Sequence, residues 1–318
     1  LWVAALVEEK TGLKWEEAVQ SRLLDPIGMS ESTFEATVND ANPNHAMGHI
    51  LLSDGNLWTV PADWPYRAWL STFAPAGGLY SNVSDMAKWA AFQLGNGTCG
   101  GKVILKPETL QVIRAPRVYM GDTFGGVGSY AMGWVFQSSP QTYWYWHNGA
   151  TIGMHSIVAF YPQCDLGLVV LTNAAGNQVP ECMAERLLEL YYGVEPPMCP
   201  PPGAAEFFPA RGGVCKTSSE PGAAAAIPLG KLVGTYENPA YGKAVVKKDG
   251  SGLTMTLGPA KRLGQLTPVE GNKYCFQWPD WPGMASTVVF KADASGNVTK
   301  LTIADLGDVR GGDFRKNK

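Results

Sequence analysis

The densest apolar pattern lies between Tyr143 and Asn173, and it predicts three consecutive strands. An aromatic run, residues 143–146, comes first, then residues 157–161 and 166–171. Residues 162–165 form a turn cluster, so the last two strands should pair as an antiparallel hairpin. Strands this apolar fit burial on both faces. Before them, residues 1–28 read as two helices. The first is stopped at Thr11-Gly12; the second carries Trp15, Val19 and Leu23 on one stripe and is halted by Pro26. Residues 31–73 read as loop, broken by Asn42, Pro43, Gly48 and Pro61. The aromatics of that loop (Trp58, Trp64, Tyr66, Trp69) either wall a substrate site or cover core edges. A helix follows over 85–94, with Ser84 as its N-cap and Met86, Trp89 and Ala90 as its buried side. Pro107 opens a short helix that ends before Pro116. Met183, Ala184, Leu187, Leu188 and Tyr191 trace an amphipathic helix stopped by Gly193. Residues 195–228, rich in Pro, Gly and Ala, have no sustained period and read as a linker open to proteolysis between about Pro200 and Ile227. From residue 229 to 318 short alternating runs predict about eight strands, a small all-β barrel.

Composition narrows the function classes. With 25 basic against 28 acidic residues, nothing points to nucleic acid or an anionic membrane surface. No apolar run approaches the ~20 residues of a membrane helix. The chain carries no signal peptide and opens on Leu1, which reads as a truncated or processed start. The six cysteines have no metal-like spacing, and His45 and His49, four apart among Asn-Pro and Gly, read as structural or solvent-facing; no metal or cofactor is expected. Sequons at Asn82, Asn96 and Asn297 with an even cysteine count point to a secreted or periplasmic protein, in which Cys199 and Cys215 could pair. The alternative is six unpaired thiols in a cytoplasmic protein.

The chemistry sits at the end of the aromatic strand. His147-Asn148-Gly149 places a titratable ring, an amide and a glycine where a buried strand has no use for them, and Gly149 lets a ligand approach the backbone. His147 through Gly153, followed by the hairpin and Thr172-Asn173, resembles the third motif of the penicillin-recognising serine hydrolases: class C β-lactamases, DD-peptidases, D-aminopeptidases and related esterases. Residues 1–29, Pro75 to Trp89 and Tyr130 to Trp134, the last taken as a strand, resemble further blocks of that family. Leu232 to Gly242 resembles the lipocalin-like domain often joined to it.

The resemblance implies an α+β fold of the β-lactamase/transpeptidase kind, an antiparallel sheet flanked by helices with its N-terminal part missing, over residues 1–194. A lipocalin-like barrel over 229–318 would follow. It also implies a catalytic strand with His147 at the acyl site, the Ala150 N–H as half of an oxyanion hole, and Asn148, Gly149 and Thr151 beside His147 as substrate contacts. A small-molecule or short-peptide substrate follows; the oligomeric state is left open. Two further family parts, Ser-x-x-Lys and Tyr-x-Asn, have their place before Leu1. No Ser-x-x-Lys occurs in the 318 residues, and Tyr80-Ser81-Asn82 and Tyr236-Glu237-Asn238 spell the second motif in the wrong places. The chain alone is therefore expected to be inactive. A free imidazole titrates near pH ~6.5 where lysine is a fixed cation, so His147 in place of the usual lysine favours peptidase or esterase activity over β-lactam turnover. A catalytically silent binding or scaffold member is the alternative, and a ligand-carrying barrel is a third.

Overall fold

The computed structural model describes residues 1–52, 56–64, 66–67, 69–123, 126–140, 142–175, 177–193, 227–281, 284–306 and 311–317. They fall into two compact units, Leu1–Leu51 with Thr59–Ala205, and Leu52–Trp58 with Glu206–Lys318. Apart from Ile227 and Pro228, the expected linker lies outside the described residues, as does the expected Cys199–Cys215 pair. Cys182 and Cys275 each belong to a disulfide, while Cys99 and Cys164 are free thiols, so the reading of six unpaired thiols is corrected.

In the first unit, helix α1 (Trp2–Thr11) stops where expected. Gly12 takes φ 68 and its N–H closes on the Glu8 carbonyl. The next helix does not halt at Pro26. Helix α2 (Trp15–Val19) passes into a wider π-helical stretch, Gln20–Leu24, and then into Asp25–Ile27. That register shift puts Pro26 in a first turn, where its missing N–H costs nothing; Gly28, at φ 84, ends the run. Trp15, Val19 and Leu23 line an apolar pocket of about 250 Å³, open to solvent, together with Leu79, Met86 and Trp89.

Helix α3 (Val83–Leu94) starts two residues earlier than the sequence suggests. Asn82, not Ser84, is the N-cap, its side-chain oxygen accepting the Asp85 N–H. The buried side includes Asp85, Phe92 and Gln93 as well as Ala90. Helix α4 (Pro107–Arg114) has proline in its first turn, as expected.

Strand β1 (His49–Leu51) stands apart from the main sheet. That sheet is built from β2 (Val118–Thr123), β3 (Gly126–Tyr130), β4 (Val135–Ser138), β5 (Tyr143–Thr151), β6 (Met154–Tyr161) and β7 (Leu166–Thr172), in the order β7-β6-β5-β4-β3-β2, each neighbour antiparallel. A short β8 (Ala174–Ala175) pairs in parallel with β1. Of the residues from Tyr130 to Trp134, expected to be a strand, only Tyr130 is in one; Ala131 to Trp134 form a turn. The Ala131 N–H bonds the Trp134 carbonyl at 2.7 Å, and Gly133 takes φ 78.

Helix α5 (Val179–Tyr191) covers one face of the sheet. There Trp144, Trp146, Ile157 and Tyr161 pack with Ala184, Leu187 and Leu188. On the other face Tyr145 and Phe160 pack with Trp134, Ile113 and Trp89. Burying each such large side chain is worth roughly 1.5–3 kcal/mol. The apolar stripe of α5 differs from the expected one. Met183 and Tyr191 are exposed, while Glu181 is buried because a histidine meets it.

The second unit is a closed antiparallel barrel of eight strands: β9 (Gly234–Asn238), β10 (Gly242–Asp249), β11 (Gly252–Leu257), β12 (Arg262–Glu270), β13 (Lys273–Gln277), β14 (Ala285–Ala292), β15 (Val298–Ile303) and β16 (Asp313–Lys316), which returns to β9. Alternate residues point inward, and Tyr236, Met255, Phe276, Phe290 and Phe314 fill the interior. The Tyr236 hydroxyl donates to the Leu232 carbonyl at 2.7 Å, so this second Tyr-x-Asn is part of the barrel core.

Candidate active site

All five residues singled out in the sequence lie in one stretch of β5. The turn to β6 is two residues long, so Thr151 pairs with Met154, Ala150 with His155, Gly149 with Ser156, Asn148 with Ile157 and His147 with Val158. On its other side β5 is paired with β4 only from Tyr143 to Trp146. Among the described residues no strand covers the edge from His147 to Thr151. Antiparallel ladders alternate, so counting from the tight turn sends the peptide groups of Asn148 and Ala150 away from β6, towards that open edge. Gly149 and Ala150 are exposed.

Side chains alternate as well. His147 lies on the same face as Tyr145. Its Nε2 is 3.0 Å from the Tyr130 hydroxyl, and its Nδ1 is 2.6 Å from the Asn148 carbonyl oxygen. A carbonyl only accepts, so Nδ1 carries a proton; in the neutral ring Nε2 is then the acceptor and Tyr130 donates to it. Tyr130 reaches this position because it ends β3 at the turn that the sequence reading took for a strand.

Asn148 points to the opposite face, towards α5, and its Nδ2 donates to Glu181 Oε1 at 2.7 Å. The same oxygen is 2.9 Å from His155 Nε2, and His155 Nδ1 donates to the Asn177 carbonyl at 2.7 Å. His155 and Glu181 are both buried. The hydrogen bond to Glu181 raises the His155 pKa against its burial. Burial alone would raise the Glu181 pKa, but the hydrogen bonds from His155 and Asn148 outweigh it and hold the carboxyl below its ordinary range. The sequence reading missed Tyr130, His155 and Glu181. His155 is the second residue after the hairpin turn, which was the one available signal; Glu181 gave none.

The hairpin tip is fixed by backbone contacts. Gly153, at φ 73, lies so close to Gly48 that a Cβ would come within 2.6 Å of the Gly48 carbonyl carbon. Its carbonyl accepts the His49 N–H at 3.0 Å, and that N–H also reaches the Asn173 carbonyl at 2.9 Å. Asn173 Nδ2 donates to the Met47 carbonyl at 3.1 Å. The His49 ring bonds the Asn173 carbonyl and the His45 ring the Asn42 carbonyl. No group of metal-ligating side chains occurs among the described residues.

Around Tyr80-Ser81-Asn82 the polar groups have structural partners. Ser81 Oγ is 2.8 Å from Ser32 Oγ, and Ser32 Oγ donates to Asp85 Oδ2 at 2.9 Å. Asp85 also receives the Glu31 N–H and Lys88 Nζ. Asn82 caps α3 with its oxygen and donates to Glu31 Oε2 at 2.6 Å with its nitrogen.

A family profile described as Beta-lactamase matches residues 1–192, and one described as a domain of unknown function (DUF3471) matches residues 218–313. Beta-lactamase-like protein 1 of Dictyostelium discoideum is 34% identical over 92 residues, 29% of this chain and 14% of that protein. Penicillin-binding protein 4 of Amycolatopsis lactamdurans is 26% identical over 171 residues, 53% of this chain and 44% of that protein. The chain thus spans less than half the length of these curated relatives. The solved structure of the octameric penicillin-binding protein homologue from Pyrococcus abyssi matches with a TM-score of 0.53 at 21% identity, over 95% of this chain and 60% of that one, a likeness of fold. With the sheet, its flanking helices and a profile match over more than half its length, the chain belongs to the beta-lactamase family.

Proposed function

We propose that the whole protein is a serine hydrolase that works through an acyl-enzyme on small amides, D-amino-acid peptides or esters, and that β5 is one wall of its acyl site. The observation supporting this is the open edge of β5. It offers the Ala150 N–H to a developing oxyanion and presents His147, hydrogen-bonded to Tyr130, beside it. In the proposed reaction a serine hydroxyl adds to the substrate carbonyl and its proton passes to a base. The C–N or C–O bond then breaks, the leaving group takes a proton, and water hydrolyses the resulting ester. No Ser-x-x-Lys occurs here, so the nucleophile and its base are assigned to residues outside these 318. Gly149 and Thr151 are assigned to substrate contact, and Asn148 only through its peptide group on the open edge, since its side chain turns to Glu181 on the opposite face. The disulfides of Cys182 and Cys275, with exposed sequon residues Asn96 and Asn297, support an extracytoplasmic setting.

In the whole protein, His147→Ala should lower the acylation rate by about 10²-fold. His147→Lys should shift preference towards carboxylate-bearing substrates. Single-turnover kinetics with ester and peptide substrates measures both. Unchanged rates and pH profiles in the two variants would remove His147 from the chemistry. The absence of Ser-x-x-Lys within the chain favours one second reading, a catalytically silent member that binds substrate without turnover.

A further inference from the structure

We infer that Glu181 and His155 form a positioning pair which, through Asn148, holds the open edge of β5 in its working geometry; this rests on the acyl-site reading of that edge. Glu181 lies in the first turn of α5, on the face opposite His147 and the free strand edge. One carboxylate oxygen, Oε1, accepts from both His155 Nε2 at 2.9 Å and Asn148 Nδ2 at 2.7 Å.

The rest of the network locks the pair to the sheet. His155 Nδ1 bonds the Asn177 carbonyl at 2.7 Å, and the Asn177 side chain accepts the Val179 N–H at 3.0 Å as α5 begins. Thr172 Oγ1 donates to the His155 carbonyl at 2.9 Å. Side-chain movement at Asn148 cannot be isolated from the strand edge. Its side chain is held on the α5 face while its own carbonyl accepts the His147 Nδ1 proton at 2.6 Å. Turning the Asn148 residue would rotate that carbonyl, release the imidazole, and tilt the following peptides as far as the Ala150 N–H.

Stability alone is a poor reason for this arrangement. A buried ion pair often contributes no more than well-packed apolar residues of the same volume. Here Glu181 Oε2 is buried with no hydrogen-bond partner among the described residues, which adds a cost. What an apolar pair could not do is hold the Asn148 amide.

Three substitutions in the whole protein separate positioning from packing. Glu181→Leu fills the volume but offers no acceptor. Glu181→Ala removes both. Glu181→Gln keeps an acceptor for Asn148, and its amide N–H can donate to a neutral His155. Loss of positioning should lower kcat/KM about 10²-fold in the Ala and Leu variants, chiefly through kcat, with Gln within a few-fold of the parent. A second readout does not depend on turnover. The His147 Nδ1 proton resonance should persist in the parent and the Gln variant and be lost or strongly shifted in the Leu variant. Full activity and an unchanged His147 resonance in a folded Leu variant would overturn the proposal. A parent protein without turnover would instead count against the hydrolase reading, and the resonance would then decide positioning alone.

Discussion

Asp85 is 1% exposed; from α3 it anchors the segment after Gly28 through Ser32 and the Glu31 N–H, and it pairs with Lys88 on its own helix. Asp85→Ala leaves those donors without their acceptor and should cost about 3 kcal/mol, read as a lowered denaturation midpoint with an unchanged slope. Burial pulls the Asp85 pKa up, but the hydrogen bonds from Lys88, Ser32 and Glu31 win and hold it below 3.8. Its contribution is therefore complete above pH 3.8 and is lost as pH falls through the lower folded value. The pair on α5 has limits on both sides. Glu181, held below 4.5, contributes fully above that value; His155, raised above 6.5, contributes fully below that value and less as pH rises through its folded value. Stability from the pair should be greatest between those values and fall on either side, a dependence absent in Glu181→Leu by denaturant titration across pH. His147, Asn148 and Gly149 were legible in the sequence because polar residues interrupt an aromatic strand. Glu181 was not: on a helix with an apolar stripe, a glutamate reads as solvent-facing until its partner from another strand is known.

The hairpin of β5 and β6 carries its own constraint at the tip. Gly153→Ala would force a positive φ on alanine and press its Cβ against the Gly48 backbone. It should destabilise the unit by roughly 1–3 kcal/mol, and lower the activity of the whole protein more than an equally destabilising change away from β5. Thermal melts paired with acylation rates measure this; equal activity loss in both would mean the tip only serves stability. The three strands were readable from local pattern, since their apolar runs are bounded by strong turn residues. Two other elements were misread for physical reasons. The π-helical stretch before Pro26 moves the proline into a harmless first-turn position, a register change that residue spacing does not reveal. Tyr130 to Trp134 resembles a strand block of the family, yet only Tyr130 is in a strand: with Gly133 at φ 78, Ala131 to Trp134 form a turn, and Tyr130, at the end of β3, meets His147.

Across the whole chain, the change from mixed helix and sheet to alternating short strands was plain in the sequence, and the structure has eight antiparallel strands there. What fills a barrel is less plain than its strand count. Its interior is packed with Tyr236, Tyr274, Phe276, Phe290 and Phe314, each at most 1% exposed. The carrier reading therefore loses ground: a hydrophobic fluorophore should show no saturable one-to-one binding to this unit, and saturable binding would restore it. The central claim concerns the other unit, that it supplies a wall of an acyl site whose nucleophile lies elsewhere in the protein. Its most direct test is to label the whole protein with a fluorophosphonate and map the adduct by mass spectrometry. The expected result is one modified serine outside residues 1–318, labelled more slowly in His147→Ala. A stoichiometric adduct on a serine within these residues, Ser81 or Ser84 above all, or an unlabelled protein, would contradict it.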